Sequence, residues 1–349
     1  MNILVIGGGV VGVATAYYLS QKGINVTVLE AQERHGDFGA TAGNAGLLSP
    51  SDAFAWASPS ALKVAIKSLL KPQLGIQYKL HMDPTLWRWT ASFLSQCRSS
   101  RWVKNSDSKF QLAQYSIDML AELQLATQIN FDASHQGIAY ASRSQGSLEE
   151  LSRHFNFLED RGLKLELLDR GALHEKLPLL QANSQTYAGA VFSPNCKTGD
   201  SAKFSVELAN WCVKKTECQF IWGATVEKIC QKDNKISSIV TSKGEFKADA
   251  YVLAAGAHSG ILATQLNIKL PICPIKGFSI TAPLINTPIE PMPGFDDTDK
   301  LVALSIFGDR LRMSSSAVFD GFDTHFRQEN FQEILNLAKE ILPNAANYS

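Results

Sequence analysis

Hydrophobic residues recur along this chain in two rhythms, one strand-like and one helical. The opening apolar run, Ile3–Ile6, carries aliphatic side chains on both faces and reads as a buried parallel strand. It breaks at Gly7-Gly8-Gly9 and restarts with helical spacing through Val11, Ala14, Tyr18 and Leu19. Gly23 stands where a helix end wants a left-handed residue, and a second strand, Val26–Leu29, runs up to Glu30. Beyond this βαβ unit the same patterns predict helices over Ser60–Leu80, Pro84–Cys97, Lys109–Gln128, Leu148–Arg161 and Phe331–Ile341. Strands are predicted over Gly137–Ala141, Lys164–Leu168, Gly189–Phe192, Phe220–Val226, Ala250–Ala254, Lys276–Ala282, Leu301–Phe307 and Arg310–Ser314. A hairpin within Lys235–Lys247 turns at Ser242-Lys243-Gly244.

The glycines of the first turn fall at Gly7-x-Gly9-x-x-Gly12, between a strand and a helix. Gly7 permits the tight turn, Gly9 lets a pyrophosphate approach the backbone, and Gly12 lets helix and strand pack closely. The N–H groups near Val10 and Val11 open the helix and favour an anion. Glu30, at the tip of the second strand, is placed to accept from ribose hydroxyls. Ile6, Gly8 and Ala31 flank this dinucleotide site. Far downstream, Ala250–Ala254 followed by Ala255-Gly256 repeats the style of the opening, and small residues there again let backbone approach a dinucleotide. Val226, ending the strand before it, joins the same set. The segment Ala40–Leu47 is a polar connection whose small residues Gly43, Asn44, Ala45, Gly46 and Leu47 suit a loop threading past a cofactor.

Composition narrows the classes. With 349 residues the chain exceeds what one hydrophobic core serves, so two domains are expected. A formal net charge of +0 and 19% charged residues argue against a nucleic-acid surface and against disorder. No apolar stretch is long enough to span a bilayer, and the first strand starts at Asn2, so a cytoplasmic location is expected. The six cysteines are scattered without ligand-like spacing, so no metal site and no disulfide frame is expected. The expected architecture is α/β: a split Rossmann-like nucleotide domain (1–83 and 195–265) with an inserted α+β domain built on a mixed or antiparallel sheet (84–194 and 266–330). Residues 331–349 begin a C-terminal helical segment. Lys63, Lys67 and Lys71 recur at helical spacing beside Leu62, Ile66, Leu69 and Leu70. That stripe fits a solvated helix face or a weak contact with an anionic membrane surface.

The spacing Gly7, Gly9, Gly12, Ala16, Gly23, joined to Ala254-Ala255-Gly256, resembles the two-part FAD site of the D-amino acid oxidase superfamily of flavoproteins. The run from Gly43 to Leu70, together with Leu158–Gly162, Thr198–Asp200 and Pro274–Thr281, resembles the D-amino acid dehydrogenase family within it, in order along the chain. The resemblance implies FAD as cofactor and oxidative deamination of D-amino acids, with hydride leaving Cα and the imino acid hydrolysed to a 2-oxo acid and ammonia. It further implies a respiratory quinone or electron carrier as acceptor and a peripheral position on the inner face of the plasma membrane. Oxidation of glycine, sarcosine or a cyclic imino acid by oxygen is the alternative within the superfamily. Two departures are visible. Ser314-Ser315-Ser316 replaces the paired glycines of the family, and the segments that bring its carboxylate-binding arginine and flavin-covering loop would fall beyond Ser349. A truncated chain, and with it a non-catalytic remnant, is therefore a further reading. No His/Asp or Cys/His constellation stands out; Tyr115, Tyr187, Lys276 and Arg310 are the candidates for lining a substrate pocket.

Overall fold

The computed structural model of the chain describes residues 1–34, 39–61, 75–78, 84–183, 186–285 and 291–348. It separates into two compact units. The first comprises Met1–Gly43, Leu123–Phe131 and Asp200–Cys273; the second comprises Asn44–Glu122, Asp132–Gly199 and Pro274–Ser349. The boundary after the opening segment therefore falls at Gly43, where the sequence placed it at residue 83.

The first unit is built on a parallel sheet. Strand β1 (Asn2–Ile6) pairs in parallel with β2 (Asn25–Leu29) and with Ala250–Leu253, and Gln219–Ile221 joins the far side of β2. Leu4, Ile6 and Leu29 sink into one apolar cluster with Ala224, Ile229 and Ile239. Helix α1 (Val10–Ser20) links the first two strands and buries Val13, Ala16 and Tyr17; the Tyr17 ring meets Trp211 of the helix Ser201–Lys215 at 5.5 Å. The predicted strand Phe220–Val226 is two elements. Gly223, at φ +69°, turns the chain after Ile221, and Val226 opens the antiparallel hairpin of Val226–Lys232 with Lys235–Thr241. A side-chain pattern cannot register that break, because both halves are apolar.

In the second unit the described residues form an eight-stranded mixed sheet. Its order runs from Lys276–Pro283 through Arg310–Phe319, Val302–Phe307, Gly294–Asp297, Ile138–Ser142 and Gly189–Ser193 to Glu166–Asp169. Along Arg310–Phe319 the residues Leu311, Met313 and Ser315 are buried while Arg310, Arg312 and Ser314 are half-buried, the period of two that a one-faced sheet requires. The apolar face gathers Phe278, Phe295, Leu304, Leu311 and Met313, and the helix Gln328–Ile341 closes it with Ile334, Leu337, Ala338 and Ile341. Ile76–Tyr78, predicted as helix, is a short strand parallel to Ala317–Phe319; the Ala317 N–H donates to the Gly75 carbonyl at 2.6 Å and starts the pairing. Lys63, Lys67 and Lys71 and most of the rest of that predicted helix lie outside the described residues. Among the described residues no helix is long and apolar enough to cross a membrane.

Candidate functional site

The chemistry of the first unit is concentrated at the carboxyl ends of its parallel strands. Gly7 takes φ +106° and a Cβ there would strike the Ala254 carbonyl, so the two strand ends carrying Gly7 and Ala254-Ala255-Gly256 run against each other with no side chain between them. Gly12 closes on the Gly7 carbonyl in the same way, which draws α1 onto the turn. Gly9 caps α1 and brings no side chain, and the adjoining Val10 N–H donates to Thr41 Oγ1 at 3.1 Å. Glu30 is oriented by backbone donors: Gly8 N–H reaches Oε2 at 2.6 Å and Gln32 N–H reaches Oε1 at 2.9 Å. A carboxylate thus stands beside a glycine turn and a helix N-terminus, and the glycine positions offer a cradle that any Cβ would narrow. Ile6, Ala31, Ala255 and Gly256 lie in this unit around the strand ends. Val226 belongs to it as well, at the start of the hairpin.

The connection Ala40–Leu47 is more ordered than a polar loop. Ala40–Gly43 is one turn of helix, and its Thr41 carbonyl accepts from Ser201 Oγ at 2.5 Å. Asn44, Ala45, Gly46 and Leu47 belong to the second unit, where Leu47–Leu48 pairs with Lys197–Thr198. Gly46 is left-handed at φ +70°, and a Cβ on it would meet the Phe307 ring and the Gly199 carbonyl.

Residues in register share a face of the sheet, which defines the polar side of the second unit. Tyr140, Asp296, Ala303, Ser314 and Ser279 form one row, and Ser305, Arg312 and Thr281 lie in the next. Burial, with the charges of Asp52 and Asp297, pushes the Asp296 carboxyl well above the usual carboxylate range. The Tyr140 hydroxyl bonds Ser49 and Ser51, the latter at 2.8 Å, and burial holds it protonated. The four candidate pocket residues are dispersed. Tyr115 is 62% exposed on the helix Ser99–Thr127. Tyr187 is fully buried and donates to Asp297 Oδ2 at 3.0 Å. Lys276 Nζ lies 3.2 Å from Asp320 and donates to the carbonyls of Asp323 and His325. Arg310 Nη2 pairs with Asp132 at 3.1 Å. Lys276 and Arg310 sit at opposite ends of one strand pair. Arg312, which sequence reasoning passed over, reaches the Asn44 carbonyl; its position two residues from Arg310 on an alternating strand was the available signal.

A glycine-turned βαβ unit with an acid at the tip of its second strand defines a dinucleotide-binding α/β protein. The family described as FAD dependent oxidoreductase matches residues 2–349, and the chain belongs to that family. It is 39% identical over 345 residues to D-amino acid dehydrogenase 2 of Mesorhizobium japonicum, covering 99% of this chain and 83% of that protein. It is 32% identical to D-amino acid dehydrogenase of Granulibacter bethesdensis, covering 99% and 82%. Among solved structures the fold is similar to glycine oxidase from Bacillus cereus, with a TM-score of 0.67 at 18% identity over 99% of this chain and 80% of that one. L-proline dehydrogenase from P. horikoshii gives 0.64 at 17%, over 99% and 78%. The dinucleotide of this family is FAD, and Gly9, where a Cβ would meet only the Thr41 hydroxyl, leaves the approach to the N-terminus of α1 free of a side chain, which fits it. Replacing Glu30 by Ala should weaken FAD binding about tenfold, the worth of one hydrogen bond to a charged group; titration of flavin fluorescence with each protein measures it, and equal affinities would refute the ribose role.

Proposed function

We propose that this chain catalyses the oxidative deamination of D-amino acids. The observation that carries the reading is the 39% identity to a D-amino acid dehydrogenase across 99% of the chain. When bound, the cofactor supplies the hydride acceptor for the bond broken at Cα. The residues of this chain divide the remaining work. The Gly7–Gly12 turn and the first N–H groups of α1 hold the pyrophosphate, and Glu30 holds the ribose. The first unit is thereby the cofactor domain, and the polar sheet face of the second carries the substrate. Arg312, in register with Thr281, supplies positive charge on that face for a carboxylate, while Arg310 is paired with Asp132. Water then hydrolyses the imino acid to a 2-oxo acid and ammonia, and the electrons pass to a respiratory quinone or carrier. The lysine stripe at Lys63, Lys67 and Lys71 supports a peripheral contact with an anionic membrane surface on the cytoplasmic side.

Two assays separate this from the oxidase alternative. Flavin-loaded protein given D-alanine and an artificial electron acceptor should reduce the dye, with little oxygen consumed when the dye is omitted. Fast oxygen consumption with glycine or sarcosine, and none of the dye reduction with D-alanine, would establish the alternative instead.

A further inference from the structure

Within the first unit, the helix Ser201–Lys215 turns Phe204, Leu208 and Cys212 inward at every fourth position, and all three are buried. The helix ends at Thr216, whose backbone is extended at φ −141° and ψ 178°. Thr216 ties the chain back to the last turn: its N–H and its Oγ1 both donate to the Cys212 carbonyl, at 2.9 and 2.7 Å. Side chains alternate along extended backbone, so Glu217 and Gln219 are exposed while Cys218 turns inward. Two buried thiols are thereby brought into hydrogen-bond contact, Cys212 with Cys218. The Cys218 N–H donates to Thr216 Oγ1 at 3.3 Å, and its Sγ donates to the Ala16 carbonyl of α1 at 3.8 Å. All six cysteines of the chain are free.

The hydrogen bond from Cys212, with the Thr216 and Ser20 hydroxyls beside it, holds the Cys218 thiol below the usual thiol range; the same bond raises Cys212. A thiolate, the form that attacks, thus stands next to a thiol that can follow it. Helix ends fray, and Val213, Lys214, Lys215 and Glu217 around the pair are exposed, which opens it to a small oxidant. We propose that Cys212 and Cys218 are a modification site of the first unit, a dithiol that hydrogen peroxide oxidises to an intramolecular disulfide. The Cys218 sulfur attacks one peroxide oxygen and the O–O bond breaks. The departing hydroxide takes up the proton that Cys218 released and becomes water, leaving Cys218 as a sulfenic acid. The Cys212 sulfur then attacks the Cys218 sulfur, the S–O bond breaks, and the leaving hydroxide carries off the Cys212 proton as a second water. Both thiols are oxidised and one peroxide is reduced. The disulfide has no S–H left for the Ala16 carbonyl, and it ties the end of the helix to the strand Gln219–Ile221 that pairs with β2.

The test treats the folded parent chain with a small excess of hydrogen peroxide, blocks the remaining thiols with an alkylating reagent and digests the monomer with trypsin. Lys214 and Lys215 stand between the two cysteines, so cleavage there leaves each on its own peptide. After oxidation these peptides should stay joined, short of two hydrogens and of both alkyl groups, and should come apart on reduction with a dithiol. The half-buried Cys97, Cys230 and Cys273 should remain alkylated. Cys212→Ser should stop the reaction at the sulfenic acid, which dimedone traps on Cys218, and Cys218→Ser should leave Cys212 alkylated. Peptides that separate with both cysteines alkylated overturn the proposal, as does oxidation of Cys97, Cys230 or Cys273 ahead of the pair. The parent chain decides the matter by itself if the serine variants fail to fold.

Discussion

Gly9→Val should leave the chain folded and strip it of flavin. The backbone at Gly9 takes φ −69° and ψ −178°, a conformation open to any L-residue. A Cβ there meets only the Thr41 hydroxyl oxygen, at 3.2 Å, and a shift of that side chain by a few tenths of an ångström relieves the contact. The folded protein therefore tolerates the valine, while the space through which a pyrophosphate approaches the N–H groups of α1 is filled. Hydrogen bonds to a charged group contribute about 1.5–3 kcal/mol each, so losing two of them weakens binding roughly 100-fold or more. Gly12→Val is the contrasting case. Its side chain would collide with the backbone carbonyl of Gly7, which cannot give way without parting α1 from the turn, and the first unit should unfold. The ratio of flavin to protein absorbance in purified samples, with far-ultraviolet circular dichroism as the check on folding, distinguishes the two. Unchanged flavin content in Gly9→Val would remove the pyrophosphate from this turn.

Much of the fold was legible because its signals are local. The opening βαβ unit announces itself through apolar runs and glycines only a few residues apart, and the structure places β1, α1 and β2 within a residue or two of the expected bounds. Elements failed where the deciding interaction is distant or lies in the backbone. Ile76–Tyr78 is a strand because Arg310–Phe319 extends a pairing edge to it, and the periodicity of Ser60–Leu80 holds no trace of that edge. Phe220–Val226 divides at a glycine of positive φ. The candidate site was half-legible for the same reason. Gly7, Gly9, Gly12 and Glu30 lie within one supersecondary unit, so their spacing alone brings them together. Tyr187 and Lys276 spend their polar atoms on partners far along the chain, Asp297 and Asp320, that no spacing rule connects to them. Arg312 was hidden for a related reason: the carbonyl it holds, at Asn44, is likewise remote in sequence.

The second large effect is expected at Arg143, far from the nucleotide cradle in sequence. Asp297 is a fully buried carboxylate in the sheet of the second unit. It accepts from Arg143 Nε at 2.7 Å and from the Tyr187 hydroxyl at 3.0 Å through Oδ2, and from the Lys300 N–H at 3.0 Å through Oδ1. Arg143 turns another nitrogen to Glu340 at 2.6 Å, which ties the helix Gln328–Ile341 to the same network. Burial, then the charge of Asp297, pushes the Tyr187 phenol well above its usual range, so it remains a donor at any physiological pH. Removing the guanidinium leaves the carboxylate buried without its cation. Breaking a buried pair in this way costs about 3–5 kcal/mol, a large share of the roughly 5–15 kcal/mol that holds a domain folded. Arg143→Met should therefore lower the melting temperature sharply, whereas Tyr187→Phe, which deletes one neutral donor, should cost about 1–3 kcal/mol. Arg143→Met combined with Asp297→Leu should recover much of the loss, because the buried carboxylate is then gone together with its cation, and Glu340, its other partner, is half-exposed to water. Melting curves of the four proteins decide it, and a parent-like melting temperature for Arg143→Met would show that the network carries little of the stability of the second unit.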